Sequence, residues 1–184
     1  MRFVLHLFCL LAACTSPVVE LAPDDTRTGE DGLPGPYGVA HLSQRAQVRA
    51  TDSMRYEVSW PAEADGAYAD DAEPCPVVVF VHGGFVGPDR YRWLATHLAT
   101  RGYCVLMPHH PLQLAITTSD HASLALDDVY DHPPDALEGH LGDAAVVAGH
   151  SLGGAVASFR WVADERFVGL ALLASWPSDG TAIE

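Results

Sequence analysis

Five consecutive residues, Val77-Val78-Val79-Phe80-Val81, are apolar, and nothing among them marks a wet face. A strand of this composition is buried on both sides, which calls for helices above and below it and so for a parallel sheet. The chain supplies the partners. After the turn at His82-Gly83-Gly84, Pro88 and Asp89 open a helix with Tyr91, Leu94, Ala95 and Leu98 on one face, and Gly102 closes it. Residues 103–107 read as the next strand, ended by Pro108. A second helical pattern over 119–130 keeps Ala122, Leu126 and Val129 in phase until His132-Pro133-Pro134 breaks it. Residues 144–148 read as a strand, 152–163 as a helix and 168–174 as a further strand. Upstream, Tyr56, Val58 and Trp60 alternate along an early strand at 55–60, and the acid-rich stretch 61–76 reads as a solvated loop. Alternating strands and helices predict an α/β fold, a mostly parallel sheet with helices on both faces joined by right-handed crossovers.

The 184 residues suit one domain. Lys and Arg number 10 against 24 Asp and Glu, a formal charge of −14 that repels phosphate backbones and argues against nucleic-acid partners. At the N-terminus, Arg2 precedes the apolar run 3–11, too short to span a bilayer but of the size of a secretory core segment. Leu11-Ala12-Ala13-Cys14 resembles a bacterial lipobox, in which the cysteine is lipidated; an ordinary export signal is the alternative. Residues 1–14 are therefore expected to be an export signal, 15–37 a tether rich in Pro, Gly, Asp and Thr, and 38–184 the folded domain. The expected location is outside the cytoplasm, with membrane contact only through a lipidated Cys14. No Cys pair or H-E-x-x-H spacing suggests a metal, and His109-His110 read as loop or strand-end residues.

The motif with most chemical content is Gly149-His150-Ser151-Leu152-Gly153, a G-x-S-x-G between a buried strand and a helix. That setting lifts a serine hydroxyl clear of the sheet on a strained turn, so Ser151 is the candidate nucleophile. A phosphate-binding glycine loop is the competing reading, but neither G-x-G-x-x-G nor a P-loop lysine is present. The side chain of His150 is expected to point away from that of Ser151. His82-Gly83-Gly84-Phe85 follows the Val77 strand. Backbone N–H groups of Leu152 and of Gly84, with Phe85 as substitute, are the candidate oxyanion hole. His82 is expected to brace the loop rather than transfer protons.

On these residues the chain resembles the α/β-hydrolases. Residues 76–84, 102–108 and 147–154 look like the third, fourth and fifth strand regions of that fold. The closer resemblance is to small bacterial members related to dienelactone hydrolases, chlorophyllases and cutinase-like polyester hydrolases, carried by Pro111-Leu112-Gln113-Leu114-Ala115, by the run 169–175 and by Gly35-Pro36-Tyr37-Gly38-Val39. Dienelactone hydrolases carry Cys where this chain has Ser151, which sets it apart from that activity. The resemblance implies hydrolysis of an ester or related acyl bond of a small-molecule substrate, with no cofactor. It also makes the Cys75 and Cys104 strands parallel neighbours, which places both cysteines at the same end of the sheet, opposite the catalytic edge. A disulfide between them is one expectation; a buried Cys104 beside a free Cys75 is the other.

The family's triad runs Ser, then Asp or Glu, then His. The ten histidines of this chain all lie at or before His150, and the acids after Ser151 are Asp164, Glu165, Asp179 and Glu184. Asp164 and Glu165 read as helix-end charges, which leaves Asp179 as the candidate acid. The expectation is a fold incomplete after its sixth strand, from which the triad acid and His are missing, either because the 184 residues are part of a longer hydrolase or because a degenerate chain survives as a membrane-tethered binding module.

Overall fold

The computed structural model describes residues 18–20, 34–49 and 52–177. Strands β1 (Val18–Glu20), β2 (Gly38–Arg49), β3 (Asp52–Ala62), β4 (Cys75–Val81), β5 (Cys104–Pro108), β6 (Leu141–His150) and β7 (Phe167–Leu173) form one sheet in the order β1-β2-β3-β5-β4-β6-β7. Helix α1 (Arg92–Ala99) lies between β4 and β5, α2 (His121–Asp131) between β5 and β6, and α3 (Leu152–Ala163) between β6 and β7.

The sheet has two halves. β5, β4, β6 and β7 run parallel, each reached through a helix. β1, β2 and β3 are antiparallel to their neighbours, and β3 joins the parallel half by pairing antiparallel with β5. The sheet is therefore mixed, and the expected parallel character holds for the half that carries the G-x-S-x-G motif. Two strands were not legible in advance. β2 occupies residues expected only to begin the domain, and Val18–Glu20, expected to be tether, pairs with 39–41 of β2. The tether therefore does not run unbroken from 15 to 37. Gly35 is also tied down: its N–H donates to Thr100 Oγ1 at 2.8 Å.

Strand pleat explains the two cores. Along β4, Cys75, Val77, Val79 and Val81 face one side and pack with Leu126 and Val129 of α2 and Val156 and Ala157 of α3. Val78 and Phe80 face the other side and pack with Tyr91, Ala95 of α1, Val105 and Met107. Gly102, at φ +92°, ends the α1 segment, as a left-handed closing residue does. Cys75 and Cys104 are joined by a disulfide with Cα atoms 5.4 Å apart, both fully buried. Among the described residues no helix is long and apolar enough to cross a membrane.

Candidate active site

Ser151 stands between the last residue of β6 and the first of α3, at φ 52° and ψ −122°. This region is costly for a residue with a Cβ, and it persists only where the surroundings hold it. The restraints are specific. The Ser151 N–H donates to Leu173 O at 3.0 Å, and its carbonyl accepts from Gly154 N–H at 3.0 Å and from the Ser175 hydroxyl at 2.6 Å. The two motif glycines make the turn possible by close approach: a Cβ on Gly149 would sit 2.3 Å from Gly153 O, and one on Gly153 would sit 2.2 Å from Val81 O. No side chain fits at either position, so α3 seats directly on the ends of β4 and β6 and the Ser151 side chain is left exposed.

The loop after β4 meets this turn. A Cβ on Gly84 would lie 3.1 Å from Leu152 Cδ2, which brings the two candidate oxyanion residues into contact. Leu152 opens α3, so its N–H has no acceptor within the helix. The Phe85 N–H is already engaged, donating to Gln113 O at 2.9 Å. Between Gly84 and its substitute Phe85, the geometry therefore favours Gly84. Phe85, Leu112 and Gln113 all have positive φ, so the β4–α1 and β5–α2 loops hold each other in strained conformations beside Ser151.

The sequence places Tyr91 only on an apolar helix face, with no sign of a place at the site. Its hydroxyl accepts from the Gly83 N–H at 3.2 Å and lies 2.8 Å from His150 Nδ1. His150 is thus turned toward Tyr91, and the residue before Ser151 is coupled through one phenol to the residue before Gly84. Contacts between residues 59 apart leave no periodic trace in a sequence.

Among the described residues the other histidines are engaged elsewhere, His41 with Ser59, His97 with Arg101, His132 with Asp128 and His140 in a stack on Tyr68. His82 is buried, and its Nδ1 donates to Gly83 O at 3.0 Å, in the bracing position expected of it. His109 Nε2 is 2.9 Å from Glu57 Oε1, a contact that, with Arg55, holds that carboxyl below its usual range against the opposing effect of burial. His110 lies just past the end of β5, as expected, and is buried there against His82 and His121. Among the described residues none bonds the Ser151 hydroxyl. Asp164 pairs with Arg166, whose hydrogen bonds lower its pKa to about 2, and Arg166 also bonds Asp127 on α2. The Asp164–Arg166 pair therefore ties the end of α3 to α2, at the opposite end of α3 from Ser151. Asp179 and Cys14 lie outside the described residues.

Strand order, helix placement and the strained serine at the carboxyl end of the parallel strands converge with comparison to known families, in which residues 77–184 match the alpha/beta hydrolase family. The chain belongs to the alpha/beta hydrolase family. Comparison with curated proteins gives no match. The matched segment begins at the first residues of the buried β4 core and includes the glycine loop, Ser151 and β7.

Proposed function

We infer that Ser151 is the nucleophile of a serine hydrolase acting on an ester or related acyl bond. The observation that carries this reading is the backbone of Ser151, at φ 52° and ψ −122° on a turn that both flanking glycines are needed to close. Strain of this kind marks functional positions, and here it presents an exposed hydroxyl at the edge where α/β sheets bind ligands. In the reaction, Ser151 Oγ bonds to the acyl carbon as its proton passes to a base. The N–H groups of Gly84 and Leu152 hold the developing oxyanion, and the alcohol leaves with a proton. Water then releases the acid. Each oxyanion donor is worth about 2.7–4 kcal/mol in such transition states. Exposed Phe85 (75%), Leu112 (83%) and Trp176 (72%) stand on the loops that touch the turn, and they offer surface to an apolar acyl portion. The kinship suggested by sequence to cutinase-like, chlorophyllase-like and dienelactone hydrolases belongs to the same proposal.

No described residue takes the Ser151 proton, so turnover of short nitrophenyl esters by these 184 residues is expected to be slow. Oxyanion stabilisation and binding alone leave about 10³–10⁴-fold over water. Added imidazole should raise the rate and an acyl adduct should accumulate on Ser151, with both effects lost in Ser151→Ala. Equal imidazole-dependent rates in the wild type and Ser151→Ala, with no adduct, would remove the proposal. The absence of a proton acceptor among the described residues also favours a second reading, a membrane-tethered binding module with a degenerate hydrolase fold. That reading predicts saturable ester binding with neither adduct nor rescue.

The export reading is supported by the Cys75–Cys104 disulfide, a bond that persists in oxidising compartments. Anchoring through lipidated Cys14 predicts partition with membranes and release or blocked processing in Cys14→Ser. Unchanged partition in that variant rules the anchor out.

A further inference from the structure

Three histidines outside the proposed chemistry form a column beside the glycine loop. His82 follows β4, His110 lies two residues past β5, and His121 opens α2. The His82 and His110 rings meet edge to face with centroids 4.9 Å apart, and His110 stacks on His121 at 5.3 Å with planes 15° apart. They are 1%, 6% and 7% exposed. Their Nδ1 atoms are used: His82 toward Gly83 O at 3.0 Å, His110 toward Thr118 Oγ1 at 2.9 Å and His121 toward His109 O at 3.1 Å. The Nε2 atoms of His82 and His110 are buried without a partner. The rings stack rather than converge, and among the described residues no trio of His, Cys, Asp or Glu could hold a metal ion.

The column joins two loops. His82 is bonded to Gly83, which begins the loop 83–87. His110 begins the segment 110–118, whose Gln113 carbonyl accepts the Phe85 N–H and whose Gln113 N–H donates to His110 O, both at 2.9 Å. We propose that His110 is a positioning residue for the loop 83–87, and that its neutral ring, held between His82 and His121, latches that loop to the segment 110–118 until acid releases it. A proton on Nε2 of either His82 or His110 creates a buried charge and a buried N–H with no acceptor, next to another imidazole. Among the described residues no compensating anion faces it. On β3, Glu57 is paired with His109 and Arg55; on the β5–α2 segment the neighbour is His109; on α2 it is His121 itself, with Asp120 exposed; and on the Ser151 side His150 is held by Tyr91.

The sign of the pH dependence follows. Burial first, then the neighbouring histidines, lower the His110 pKa from 6.5 to about 3, and burial lowers that of His82. The released loop binds protons that the latched loop refuses. The latch is therefore at full strength above the ordinary histidine pKa of about 6.5 and weakens as pH falls toward about 3, by up to about tenfold per pH unit for each histidine.

The test is hydrogen exchange at the Phe85 amide of the full chain, corrected for the intrinsic pH dependence of exchange. Wild-type protection should fall with acid over this window. His110→Phe, which keeps a ring between its neighbours and removes the proton site, should flatten the slope by one histidine's share. His110→Gln, neutral but unable to stack, should lose protection at every pH. An unchanged slope in His110→Phe overturns the proposal. So does a His110 ring resonance, assigned through its proximity to His82 and His121, that titrates near 6.5 in the folded wild type; this reading needs no variant to fold. The latch rests on the active-site reading only in that the loop 83–87 carries the candidate oxyanion residue Gly84. If Ser151 performs no chemistry, turnover is absent throughout while the exchange slope persists, so the two failures are distinguishable.

Discussion

β4 and β7 are both seven-residue apolar strands in the same parallel half of the sheet, yet they differ in depth. β4 lies between β5 and β6, and almost all of it is buried. β7 has β6 on one side, and Val168 and Ala171 are exposed. α3 repeats the contrast: its Gly153, Gly154, Val156 and Ala157 are buried against the sheet, while Phe159, Trp161 and Val162 face outward. Apolar composition thus does not fix depth, which depends on what covers each face. Ser151 sits where the two regions meet. Its strand and oxyanion loop belong to the deep region, while Leu173 and Ser175, which hold its backbone, belong to the shallow one.

If the centre carries the stability, damage there should be severe. Phe80→Ala should show the largest loss, about 3–5 kcal/mol in denaturant unfolding, because Phe80 is fully buried and packs on Tyr91 at 4.9 Å. A loss below about 1 kcal/mol would mean that the α1 face is not packed as described. Removing the disulfide with paired Cys75→Ala and Cys104→Ala changes should come next, at about 2–4 kcal/mol, since the bond closes a span of 29 residues. Free thiols at Cys75 and Cys104 themselves in unfolded, unreduced wild type would break this expectation. Tyr91→Phe should follow at about 1–3 kcal/mol, for it leaves Gly83 N–H and His150 Nδ1 without their shared partner. Its acid slope at Phe85 should stay that of wild type, because Tyr91 does not belong to the histidine column.

The same contrast explains what was readable beforehand. β4 and β5 were legible because burial on both faces removes polar residues, β6 and β7 because each holds a continuous apolar run, and the three helices because their faces keep their period. β2 was not, because its buried side includes His41, which sits there by bonding Ser59 Oγ at 2.7 Å, and the polar residues 43–45 interrupt the apolar alternation. β1 is too short for periodicity to register, and it exists through pairing with β2. At the candidate site, the strained turn at Ser151 was legible because the glycines that permit it are themselves a local pattern. The Tyr91 bridge and the His82–His110–His121 column were not, since each is assembled from segments that meet only after folding.

The smallest expected effect gives the comparison its sharpest form, because one chemical change can be made in both regions. Valine to threonine keeps the shape and replaces a methyl by a hydroxyl. At Val79, which is 0% exposed between β5 and β6, that hydroxyl enters the core shared with α2 and α3. A buried hydroxyl without a partner costs about 1–3 kcal/mol. At Val168, 68% exposed on β7, water supplies the partner, and the change should stay within about 0.5 kcal/mol. β-branching is kept in both, so strand preference cancels between the two variants and the difference in unfolding midpoint reports depth alone. Equal losses at the two positions would mean that Val168 is covered in solution, and the contrast between the deep and shallow strands would then fail.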